Sequence, residues 1–115
     1  MTRGMQIQWD GLSEIGAEER EAIEARLRRI AARHGELSIV HIAGRESRHH
    51  RRGGREVNVA ARTKGREIAA SRGGAEIGRA LHDAVDAFAR ELRRLRARRA
   101  ERRLAERAGE PLPPL

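Results

Sequence analysis

The sequence predicts an α+β domain: a β-α-β-β-β-α two-layer sandwich, with a four-stranded sheet, two helices on one face of it and an extended C-terminal helix. Three observations lead there. Short runs alternate apolar and polar residues with period two, and two longer runs repeat apolar residues at helical spacing. The second, third and fourth strand-like runs are also joined by connections short enough for an antiparallel meander.

The elements follow in order along the chain. "MQIQW" places Met5, Ile7 and Trp9 on one face and Gln6 and Gln8 on the other, which predicts a half-buried strand closed by Asp10-Gly11. After Gly16, "AEEREAIEARLRRIAARHG" repeats Ile23, Leu27, Ile30 and His34 at helical spacing. Glu18 and Glu19 fall in its first turn and Arg33 in its last, as the helix dipole favours, and Gly35 is placed to stop it. "ELSIVHIAG" is a β-branched run that predicts the second strand. In "REVNVAAR", Val57, Val59 and Ala61 share one face; in "REIAAS", Ile68 and Ala70 point inward. A strand, a helix and a second strand predict a right-handed parallel crossover ahead of the meander. From about Glu76 the period becomes helical: Ile77, Leu81, Ala84, Val85, Phe88, Leu92 and Leu95 form one stripe. The stripe fades after Leu95, while "RARRAERRLAERAG" stays rich in helix formers, so the last helix is expected to outrun the body of the domain. Residues 1–108 read as one domain and residues 109–115, containing "EPLPPL", as a flexible tail.

Composition narrows the function classes. The chain has 115 residues, 25 Lys and Arg against 17 Asp and Glu, and a formal net charge of +8. A small domain with that balance is suited to a polyanion such as nucleic acid, or less often an acidic membrane surface. Almost all the positive charge is arginine, which favours planar bidentate contacts with phosphate, although codon bias would produce the same enrichment. There is no cysteine, which excludes disulfides and thiolate metal sites. No apolar run approaches the ~20 residues of a membrane span, and the N-terminus lacks a signal-peptide core. The chain therefore reads as soluble and cytoplasmic.

Several arginine groups are candidate contacts. On the last helix Arg90, Arg94 and Arg98 share a face, broadened by Arg93, Arg96 and Arg99. Such runs are commonly solvated faces, but here only Glu91, Glu101 and Glu106 are close enough to neutralise them. On the first helix, Arg26, Arg29 and Arg33 recur at three-and-four spacing, with Glu18, Glu19, Glu21 and Glu24 as alternative partners one turn back. Arg62, Lys64 and Arg66 surround the Gly65 turn. The segment "ESRHHRRGGREVNV" reads as a hairpin tip. Its adjacent histidines, His49 and His50, point to opposite faces on a strand end and do not converge on a metal, and a strand rather than a helix follows Gly53-Gly54, which excludes a phosphate loop. No nucleophile-base-orienter set is evident around His82, Asp83 and Asp86, so no enzymatic activity, cofactor or small-molecule substrate is expected.

With this order in place, the sequence resembles the ribosome hibernation promoting factor (RaiA, or sigma-factor modulation) family in its short form. The resemblance runs over roughly residues 5–98. It rests on "MQIQW", the basic "ARLRRI" of the first helix, the hairpin "VNVAARTKGREIAAS" and the final helix "EIGRALHDAVDAFARELRRLR", with an Asp-x-Leu/Phe-x-x-Gln/Glu-Leu pattern at Asp86, Phe88, Glu91 and Leu92. Two places depart from the family. Ile77-Gly78 replaces a Met-Tyr pair, and Ala80-Leu81-His82 replaces Ala-Ile-Asp. Basic positions of the family coincide with Arg26, Arg29, Arg90, Arg94 and Arg96, while Ala87 stands where lysine is frequent. The C-terminal dimerisation domain of long members has no room here. The resemblance implies binding of ribosomal RNA on the small ribosomal subunit, in the channel for messenger and transfer RNA, with inhibition of translation and no catalysis. Two alternatives stay open: a regulatory protein-interaction module and a generic double-stranded-RNA-binding domain. Self-association is left open.

Overall fold

The computed structural model describes residues 5–34, 37–46, 54–63 and 66–109. Its elements are β1 (Gln6–Asp10), α1 (Ala17–His34), β2 (Ile39–Glu46), β3 (Arg55–Thr63), β4 (Arg66–Gly74) and α2 (Ile77–Gly109). The order and class match the expectation from periodicity. β2 and β4 run two or three residues longer than their apolar patterns, because ladder pairing with β3 continues past the last buried side chain: Glu46 opposes Arg55 and Gly74 opposes Arg55 from the other side. The final helix includes Gly109, the position expected to open the tail. Residues 110–115, Lys64 and the loop with His49 and His50 lie outside the described residues.

The sheet runs β1-β2-β3-β4, with β1 parallel to β2 and the other pairs antiparallel. A parallel pair needs a crossover, and α1 supplies it. Alternation sorts the faces. Val40 and Ile42 of β2, Val57, Val59 and Ala61 of β3, and Ile68 and Ala70 of β4 are buried on the helix side. The opposite face carries cross-strand polar pairs, Gln8 with His41, Arg45 with Glu56 (3.1 Å) and Ser71 with Asn58 (2.8 Å).

Helix α2 lies over β3 and β4 and beside α1. It buries Ala80, Leu81, Ala84, Val85, Ala87, Phe88, Leu92 and Leu95 in the same core as Ile23 and Leu27 of α1. So much of this stripe is alanine that the backbones approach closely, and Phe88 supplies the one large aromatic side chain at the centre, with no exposed surface.

The β1–α1 connection is fixed by apolar burial, with Leu12 and Ile15 seated in the core, and by arginine. Arg20 folds back to donate from Nε to the Ile15 carbonyl (3.1 Å) and from a terminal nitrogen to the Leu12 carbonyl (2.7 Å). Its guanidinium lies 5.2 Å from the centre of the Trp9 ring, and Trp9 Nε1 donates to Glu24 at 2.8 Å. Strand and helix are thereby tied at two levels. Gly11 adopts φ 68° against the Gly44 carbonyl of β2, and a side chain on Gly44 would overlap Leu12. From β3, Arg55 reaches the same connection, bonding the Gly11 carbonyl (3.1 Å) and pairing with Glu14.

Two expectations follow. A backbone hydrogen bond and then the Arg55 guanidinium hold the Glu14 carboxyl below its ordinary range. A depressed folded-state value stabilises the protein above the unfolded pKa and loses that effect as pH falls through the folded one. Glu14→Gln should therefore lower the melting temperature at neutral pH, with the difference from wild type closing as the solution is acidified. Phe88→Ala should cost about 3–5 kcal/mol in denaturant unfolding, the usual range for emptying a fully buried aromatic site.

Candidate nucleic-acid interface

The apolar stripe fixes the roll of α2, and with it the direction of every arginine on the helix. Arg90 and Arg94 leave on the β4 side and line a groove with Ala69, Ala70, Ser71 and Arg72. Arg93 and Arg96 leave on the α1 side and line a second cleft with Arg33, Ala97 and Ala100. An arginine-lined depression therefore flanks α2 on each side. Arg96 is held in place by donating to the Arg33 carbonyl at 3.0 Å, which also satisfies an open carbonyl in the last turn of α1.

The sequence-predicted residues separate into three groups. Arg90 and Arg94 line the depression on one side of the helical surface, with Glu91 among its lining, and Arg33, Arg93 and Arg96 line the other, with Arg98 farther along α2. Arg29 is exposed and makes no ion pair among the described residues. Arg94 pairs with Glu91 at 3.2 Å, an exposed i,i+3 contact of little energetic weight. Arg26 is engaged differently: it pairs with Asp86 across the helix–helix junction, where His82 and Glu19 also pair, at 3.2 Å. The partner of Arg26 is thus on α2, not one of the glutamates one turn back on α1.

The hairpin residues split between faces. Arg66 stands opposite Thr63 at the end of the ladder and has the parity of Ile68 and Ala70, which places it on the helix side. Arg62 has the opposite parity and lines a depression on the open sheet face with Ile39, His41, Ala60 and Glu67. It is not part of the helical surface. Lys64 lies outside the described residues.

Arg72 joins the surface without being among the sequence-predicted residues, although its signal is present: it continues the alternation Ile68, Ala70, Arg72 onto the helix side, where it meets Arg90 and Arg94. Guanidinium groups keep their charge at any physiological pH, and such clefts can hold phosphates by charge-assisted, bidentate hydrogen bonds. No group of three or more histidines, cysteines or carboxylates able to hold a metal occurs among the described residues. No helix among them is long and apolar enough to cross a membrane.

No family model matches the chain, and no curated protein matches it. Solved structures do. A structure described as a ribosomal subunit interface protein from Coxiella burnetii superposes with a TM-score of 0.65 at 22% identity, covering 81% of this chain and 99% of that one. The N-terminal domain of Thermus thermophilus Protein Y superposes with a TM-score of 0.59 at 15% identity, covering 80% of this chain and 98% of that one. The chain has the fold of these proteins, and each superposition leaves about a fifth of it unmatched.

If the Arg26–Asp86 pair is an exposed clasp, a double-mutant cycle with Arg26→Ala and Asp86→Ala should give a coupling of about 0.2–1 kcal/mol in urea unfolding, shrinking in high salt.

Proposed function

We propose that this protein is a ribosome hibernation factor of the short type. It binds ribosomal RNA of the small subunit in the channel for messenger and transfer RNA, and so inhibits translation in the cytoplasm. The observation that carries this reading is the pair of arginine-lined depressions flanking α2, on a fold shared with a ribosomal subunit interface protein. The contact set is Arg29 and Arg33 of α1, Arg90, Arg93, Arg94, Arg96 and Arg98 of α2, and Arg66 with Arg72 beside them. Arg26 contributes mainly by holding α1 against α2, and Arg62 and Lys64 are accessory RNA contacts. Residues 1–109 act as one ribosome-binding domain, Gly109 being the last residue of its final helix. The mechanism is occupancy. Arginines replace the counterions of the phosphates, the factor fills a path that messenger and transfer RNA need, and no bond is made or broken.

Two rival readings fit less well. A double-stranded-RNA-binding domain would have no use for β1 and its parallel crossover, which occupy one edge of this sheet. A protein-interaction module built on the projecting end of α2 would need an apolar seam, and among the described residues Leu104 is the one large apolar side chain exposed there.

Affinity for purified small subunits should fall steeply as salt rises from low to moderate concentration. Arg90→Glu with Arg94→Glu should leave the melting temperature nearly unchanged, because exposed charges contribute little to stability. The same pair should abolish most subunit binding and relieve inhibition in a reconstituted translation assay. Unchanged binding in the folded double variant would remove α2 from the interface and sink this mechanism.

A further inference from the structure

Beyond Leu95, α2 leaves the core. Every residue from 100 to 108 is exposed, and Leu104 keeps 65% of its surface in water. At 1.5 Å per residue, residues 97–109 carry the helix about 20 Å past the body. The molecule is elongated as a result. Its radius of gyration is 17.6 Å, against roughly 13 Å for a globular chain of this length, and its extents are 63 × 41 × 18 Å.

Helical geometry gives this arm a further property. Seven residues return a side chain to nearly the same face, so the stripe that buries Leu92 and Leu95 in the body continues on the arm as Arg99 and Arg102. Arg103 follows Leu92 at eleven residues, on the same side. The face that packs the core in one half of α2 is therefore cationic in the other half. Arg98 and Arg107 widen it into a half-cylinder of charge, interrupted by Glu106, while Ala97, Ala100, Leu104 and Ala108 fall on the opposite side. Arg98 and Arg102, and likewise Arg103 and Arg107, are like charges four apart that repel one another unless an anion lies between them.

We infer that residues 98–107 form a second RNA-contacting element, separable from the clefts of the body, which holds a backbone segment by its phosphates. This deepens the reading given above and rests on it. The occupant is RNA rather than a bilayer or a partner helix. The opposite side offers alanines, Leu104 and the charged Glu101, too little apolar area to seat a helix in a membrane or to build a coiled-coil seam. Row upon row of guanidinium groups instead matches the repeating negative charge of a nucleic-acid strand.

The test uses the full chain carrying Arg102→Gln, Arg103→Gln and Arg107→Gln together. Glutamine retains helix propensity and removes only charge. Binding to purified small ribosomal subunits is measured across a salt series. The variant should melt like wild type, yet the slope of log affinity against log salt should flatten by about 0.7–0.9 for each phosphate the arm no longer neutralises, up to about 2–3 in all. A parallel variant with lysine at the three positions should keep most of the wild-type slope, which separates charge from any change in helicity. A glutamine variant with wild-type slope and affinity overturns the arm as an RNA-binding element while leaving the body's role intact. Failure of the wild-type chain itself to bind subunits overturns both. If the substitutions abolish binding to phosphatidylserine vesicles but not to subunits, the arm is a membrane element and the inference is wrong.

Discussion

The seating of one helical stripe governs the rest of this molecule. Phe88, Leu92 and Leu95 are sealed against β3 and β4, and that single alignment sets which way α2 is rolled. Roll decides charge display here, because between Arg90 and Arg96 every position outside the stripe except Glu91 is arginine. A rotation by one residue, about 100° on a helix, would bury guanidinium groups and expose the alanines that let the layers approach. Packing and charge display are two readings of the same register.

Net charge is a poor measure of what such a surface can offer a partner. Several arginines are spent inside the fold. Arg20 closes the β1–α1 connection through two carbonyls and the Trp9 ring, Arg55 ties that connection to β3, and Arg26 spans the helices to Asp86. Leu12, Ile15 and Leu37 anchor the connecting segments in the core, and long cationic side chains with apolar stems add to that hold. Others, among them Arg29, Arg90, Arg93 and Arg98, are displayed on the outer flanks of α1 and α2.

Local pattern makes the fold legible. Period two in β1 and β3 and period 3.6 in α2 are properties of neighbouring residues, so element type, order and inward faces can be read directly, down to Val57, Val59 and Ala61. The candidate surface is only half legible, for the complementary reason. Asp86 as the partner of Arg26 lies sixty residues away in the chain, and no spacing rule reaches across two elements. Arg62 and Arg66 border one turn and so group together in sequence, whereas pleating sends them to opposite faces of the sheet. Arg72 is easily passed over because the apolar residues of its strand end at Ala70, although the alternation itself points it to the helix side. Ladder pairing, not side-chain pattern, carries β4 past that point.

The strand order has a consequence for how the chain assembles. Each strand pairs with its neighbour in sequence, so the sheet can grow in the order of synthesis, through the α1 crossover first and shorter connections afterwards. Its apolar face nevertheless stays open until α2 arrives. Val57, Val59 and Ile68 are laid down well before Phe88 and Leu92, which finally exclude water from them. Everything the core requires has been made once Leu95 is added, yet the helix continues. Its residues from 100 to 108 lie exposed outside the core, which leaves their composition free of the demands that constrain every earlier segment.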